Sequence, residues 1–76
     1  MIKMNALLKK MRPVWKYAAC NDYGDWKLFE VKPHYSKKEK DWLTLGGLVC
    51  EISCIFDIEP FKGDCEKSLM ERKEDV

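Results

Sequence analysis

The sequence predicts one small α+β domain: a short N-terminal helix packed on an antiparallel meander of three or four strands, with a short C-terminal helix after it. Three observations predict this. An apolar stripe at helical spacing opens the chain. Two apolar-rich runs flank the turn sequence Asn21-Asp22-Tyr23-Gly24. Residues 48–58 then alternate apolar and mixed side chains.

The first stripe is Met4, Leu7, Leu8 and Met11, at i, i+3, i+4 and i+7. Lysines 9 and 10 fall late in this helix, where the dipole favours cations. Pro13 ends it by pushing Arg12 out of the α region, so the helical region is 1–12. About ten residues is marginal for an isolated helix, which must therefore dock. Residues 14–20 read as a strand with Trp15, Tyr17 and Ala19 on one face, and residues 25–31 as its return, with Trp26 and Leu28 opposite Lys27, Phe29 and Val31. Between them, Asn21 and Asp22 can bond their own backbone and Gly24 can turn left-handed, which fits a type I turn closed by a glycine bulge.

Ser36-Lys37-Lys38-Glu39 has capping-box spacing and reads either as one helical turn before Trp42 or as a charged loop. Gly46-Gly47 breaks the chain again. In 48–58, Leu48, Cys50, Ile52, Cys54, Phe56 and Ile58 share a face, which predicts a long half-buried strand completing a sheet over 14–58. Pro60 stops it. Asp64 can cap a final helix over 64–72 anchored by Leu69 and Met70, and 73–76 reads as a frayed tail.

A chain of 76 residues makes a single domain, 1–76. It buries only about 60% of its unfolded surface, so its nine aromatic side chains are first of all core material. No apolar run approaches the roughly 18 residues of a membrane span. The segment MIKMNALLKKM has neither a sustained apolar stretch nor a small-residue cleavage site, so a cytoplasmic location is expected, with Cys20, Cys50, Cys54 and Cys65 as reduced thiols. Charge is segregated: residues 1–40 carry ten Lys/Arg against four Asp/Glu, and residues 41–76 carry four against nine. A basic front and an acidic back bear on partner choice rather than on fold.

The stretch WKYAACNDYGDWKLFEVKP resembles small phage and prophage proteins whose pattern runs W-x-Y-x-A-x-D-x-x-G-x-W-x-x-F-E-x-x-P. The matching positions are Trp15, Tyr17, Ala19, Gly24, Trp26, Phe29, Glu30 and Pro33, then Trp42 and Ser68-Leu69, while Cys65 stands where that pattern often has Trp. The resemblance implies a phage-type accessory protein in a bacterial cytoplasm and supplies no catalytic residue.

Chemistry-bearing clusters are sparse. Cys50 and Cys54, with Cys20, Cys65 or His34, have the donor types of a zinc site. On an extended strand, however, their Cα atoms lie about 13 Å apart, too far for one zinc or for a disulfide. The expectation is no metal and no cofactor. His34 is the only histidine that could pair with a thiol and reads as a loop residue beside Pro33; Asp57 and Glu59 read as solvated carboxylates. No phosphate loop, dinucleotide fingerprint or nucleophile elbow occurs, so no catalytic residue is assigned.

The expected function is therefore non-catalytic binding of a host protein, or self-association as a homodimer, with no membrane role. The candidate anchors are Tyr23 at the hairpin tip, Tyr35 and Trp42 in the 34–42 segment, and Phe61 after Pro60. The alternative is RNA or DNA binding through Lys3, Lys9, Lys10, Arg12 and Lys16 beside sheet aromatics that stack bases.

Overall fold

The computed structural model describes residues 1–72; residues 73–76, read above as a frayed tail, lie outside the described residues. The α+β architecture is as the sequence predicts. Helix α1 (Met4–Lys10) is followed by β1 (Tyr17–Cys20) and β2 (Trp26–Phe29), then a separate hairpin of β3 (His34–Ser36) and β4 (Asp41–Leu43). The chain continues through β5 (Val49–Glu51), a 3-10 turn (Cys65–Lys67) and β6 (Met70–Glu71). The main sheet has the order β5-β2-β1-β6 and is antiparallel throughout: β1, β2 and β5 form a meander, and β6 returns to the free side of β1.

The β1–β2 hairpin forms as expected because Asn21 organises its turn. Its buried side-chain oxygen accepts from the Tyr23 and Asp25 amides, both at 3.0 Å, and Gly24 takes φ 85° while donating to the Asn21 carbonyl. The hairpin pairs Tyr17 with Phe29 and Cys20 with Trp26.

Strand β1 has no exposed face. Ala18, Ala19 and Cys20 are all buried, and side chains that alternate across the sheet feed two separate cores. On one side, Ala18, Cys20, Trp26 and Leu28 pack with Met4, Leu7 and Leu8 of α1 and with Ile52 and Ile58. On the other, Ala19 and Phe29 pack under Trp42. Alanines at the centre let both covering layers approach closely.

One open reading is decided and two expectations are corrected. Of the two readings of Ser36-Lys37-Lys38-Glu39, the charged loop holds, as a turn between β3 and β4, and the helical turn does not form. The capping bond survives, with the Ser36 hydroxyl accepting from the Glu39 amide, but it closes a hairpin in which Tyr35 faces Trp42. Residues 48–58 are not one strand. Only Val49–Glu51 pair, because β2 begins at Trp26 and the Ser53 hydroxyl takes the Trp26 amide at 2.6 Å in place of a ladder carbonyl. Beyond it the amides of Ile55 and Phe56 both donate to the Ile52 carbonyl, and the chain turns back. Ile58 then makes a parallel bridge with Ile2, ahead of α1. The C-terminal helix shrinks to the 3-10 turn. Asp64 does cap it, accepting from the Glu66 amide, but residues 70–72 are drawn onto the open edge of β1, where the Arg72 amide donates to the Lys16 carbonyl.

Ser68 carries that edge past the end of β6. Its buried hydroxyl accepts from the Cys20 amide at 2.8 Å and faces the Cys20 and Cys65 carbonyls. Replacing Ser68 with Ala leaves the buried Cys20 amide unpaired and is expected to cost about 1–3 kcal/mol, read as a lowered urea midpoint at constant slope. Gly47 has φ 79°, and a Cβ there would meet Val31 Cγ2 at 2.7 Å. Since the exposed Val31 side chain can yield, the backbone strain dominates, and Gly47→Ala is expected to cost about 1–2 kcal/mol in the same assay.

Candidate binding surfaces

The four aromatic anchors expected from the sequence fall into different environments and do not form one site. Trp42 is buried at 6% exposure, and its indole N–H donates to the Cys20 carbonyl at 3.0 Å. It is a core residue, not an interface anchor. Tyr35 packs edge-on against it and donates its hydroxyl to Asp22 at 2.7 Å, tying the second hairpin to the tip of the first. Phe61 is half-buried, edge-on to Trp26, whose own N–H is taken by the Glu59 carbonyl. Only Tyr23, 70% exposed at the hairpin tip, is free to meet a partner.

The cations Lys3, Lys9, Lys10, Arg12 and Lys16 are all exposed, and among the described residues the one ion pair is Lys27 with Asp41. Of the aromatics invoked beside them, Trp26 and Phe29 are each 1% exposed in opposite cores and closed to bases, while Trp15 and Tyr17 are half-buried against those same cores. Near this basic end, the Arg72 guanidinium donates to the carbonyls of Lys9, Met11 and Arg12 and closes the C-terminus of α1. A cleft of about 420 Å³ between α1 and β6 is lined by Asn5, Leu8, Lys9, Met70, Glu71 and Arg72.

The feature that sequence reasoning missed is aliphatic. Val31, Leu43, Leu45, Leu48 and Val49 are between 39% and 99% exposed, Leu45 most of all. Their grouping follows from the chain path. The Leu48 amide donates to the Glu30 carboxylate and the Glu30 amide to the Leu48 carbonyl, while Gly47 lies against Val31. This gathers Val31, Leu48 and Val49 at the corner where β2 ends and β5 begins. The signal was present: leucines on either side of Gly46-Gly47 sit in a turn that has no interior to enter.

That corner adjoins an open strand. Strand β5 is the sheet edge. The bonds from Glu30 to Leu48 and from Ile52 to Trp26 mark the hydrogen-bonded pairs of the ladder, with Cys50 and Leu28 between them. By antiparallel alternation, Val49 and Glu51 turn their amides and carbonyls outward.

The thiols also correct the sequence reading. Because the chain turns back at Ile52, Cys50 and Cys54 are not held apart: their Sγ atoms lie 3.8 and 3.6 Å from one oxygen, the Glu51 carbonyl. Among the described residues no three His, Cys, Asp or Glu side chains gather as metal donors, and His34 is exposed on the other hairpin. Cys20 is buried, and desolvation pushes its thiol up to about 11, with the Cys65 thiol beside it adding to the shift.

Compared with family models, with curated proteins and with solved structures, the chain matches none. No helix among the described residues is long and apolar enough to cross a membrane.

The hydrogen bond to Asp22 raises the Tyr35 phenol to about 12. A group raised on folding stabilises below its unfolded value and loses that contribution as pH climbs through its folded one. For Tyr35 that window runs from 10.0 to about 12, and for Cys20 from 9.0 to about 11. In a phenolate absorbance titration, one tyrosine is expected to ionise late, and Asp22→Ala to return it towards 10.0.

Proposed function

We propose that this protein is a non-catalytic binding module that docks an extended segment of another protein along the β5 edge. The observation that carries this reading is the outward backbone of Val49 and Glu51, beside the exposed side chains of Val31 and Leu48. An unpaired edge is a template for an added strand, whose backbone supplies affinity and whose alternate side chains supply specificity.

Charge selects the occupant. A partner strand bonded to Val49 and Glu51 is best matched by an apolar residue at the first and Lys or Arg at the second. A second copy offers Glu51 no cation: pairing Val49 with Glu51 sets a carboxylate against an apolar side chain, pairing Glu51 with itself opposes like charges, and pairing Val49 with itself leaves Glu51 opposite Gly47. The resemblance of residues 15–33 to small phage and prophage proteins is compatible with an accessory protein acting on a host polypeptide in the cytoplasm. Tyr23 stands apart at the hairpin tip as a secondary contact.

The test uses extended peptides of alternating apolar and basic residues, with binding followed by anisotropy and by amide resonances of the full chain. Shifts at residues 48–51 are expected. Val49→Pro removes an outward donor without breaking a ladder bond, so it is expected to abolish binding while the fold persists. Binding unaffected by Val49→Pro would remove the support for this reading, and a sedimenting dimer dissolved by it would assign the edge to a second copy. Retention on heparin that falls steeply with salt, and is lost when Lys9, Lys10 and Arg12 are changed to Glu, would move the assignment to nucleic acid.

A further inference from the structure

Cys50 and Cys54 stand on either side of a chain reversal. Cys50 is the central residue of β5, half-buried against the α1-side core, and Cys54 is exposed in the turn that follows. Both sulfurs approach the Glu51 carbonyl oxygen within 4 Å, so they share a single neighbour at the rim of the sheet. The reversal rests on the Ile55 and Phe56 amides, each 3.0 Å from the Ile52 carbonyl. It shortens the separation of about 13 Å that extended chain would impose. Of the other two cysteines, Cys20 is fully buried and Cys65 is half-buried like Cys50 but lies by Cys20 rather than at the β5 turn. Cys20 is 1% exposed, its amide and carbonyl are tied to Ser68, and Cys65 packs against the same core. Desolvation keeps the Cys20 thiol protonated, which removes the form that reacts.

We propose that Cys50 and Cys54 form a surface dithiol that exchanges with low-molecular-weight disulfides of the glutathione class. The exposed Cys54, as the thiolate, attacks one sulfur of glutathione disulfide. The bond between Cys54 and that sulfur forms, the reagent's S–S bond breaks, and one glutathione leaves as a thiolate that takes up the proton Cys54 lost. Cys50, deprotonated in turn, attacks the Cys54 sulfur of the mixed disulfide. The Cys50–Cys54 bond forms and the second glutathione leaves, taking up the second proton. Two protein thiols are oxidised and one disulfide is reduced to two thiols, with no other reactant. The dithiol borders the β5 edge and shares the Glu51 carbonyl with it, but the exchange needs no docked strand and is tested on the chain alone.

The experiment incubates the full chain with glutathione disulfide under anaerobic, chelated conditions, quenches with acid, alkylates the remaining thiols after unfolding, and maps the products by mass. The expected product is the chain lighter by two hydrogens, with Cys20 and Cys65 alkylated and Cys50 joined to Cys54. Cys50→Ser is expected to stop at a stable glutathione adduct on Cys54, and Cys54→Ser to yield no intramolecular disulfide. Circular dichroism of both variants checks that the fold persists. A wild-type chain that stays unmodified, that stops at the adduct, or that joins Cys20 to Cys65 overturns the proposal.

Discussion

The backbone of Cys20 is the point on which the rest of this structure depends. Its amide is held by the Ser68 hydroxyl, and its carbonyl accepts from Ser68 and from the Trp42 indole. Those two residues belong to the C-terminal segment and to the second hairpin. The backbone of one residue thus joins β1, the β3–β4 layer and the segment after the 3-10 turn. An unpaired backbone group at this depth costs as much as a lost hydrogen bond, and the Cys20 amide depends on Ser68 for its partner. Among the described residues no buried side-chain nitrogen or oxygen lacks a partner.

A strand buried on both faces is demanding for so short a chain. Two cores must be filled, and the large side chains are consumed in filling them: Trp26 on the helix side, Phe29 and Trp42 on the hairpin side. This explains why Trp42, an anchor by sequence, is unavailable for recognition. Apart from Tyr23, the surface keeps aliphatic side chains, among them the corner formed by Val31, Leu48 and Val49. Exposed apolar side chains beside an unpaired edge are a liability in an isolated domain, which is the physical basis for reading this edge as a place of contact.

The turn at Ile52 has two consequences. It returns Phe56 and Ile58 to the α1-side core, where Ile58 also pairs with Ile2 and fixes the entry to the helix. It also brings two thiols to one carbonyl oxygen at the sheet rim. The same bend that completes the core therefore creates the dithiol. The apolar alternation of residues 48–58 does not distinguish this bend from a straight strand, because Cys50, Ile52, Phe56 and Ile58 contact the same core by either route.

The sequence by itself determined the parts governed by near neighbours. The stripe of Met4, Leu7 and Leu8 made α1, Asn21 and Gly24 made the first hairpin, and Asp64 capped the turn it precedes, because each needs only local spacing and local hydrogen bonds. Of the candidate site, it placed Tyr23 at the hairpin tip but could not tell its exposure from that of Trp42. Tertiary structure decided where strands end and what the aromatics do. Residues 70–72 became a strand because β1 had an edge to fill, and β5 stopped at Glu51 because Ser53 took the Trp26 amide and the chain turned. Those outcomes depend on hydrogen-bond partners distant in sequence, which no periodicity records.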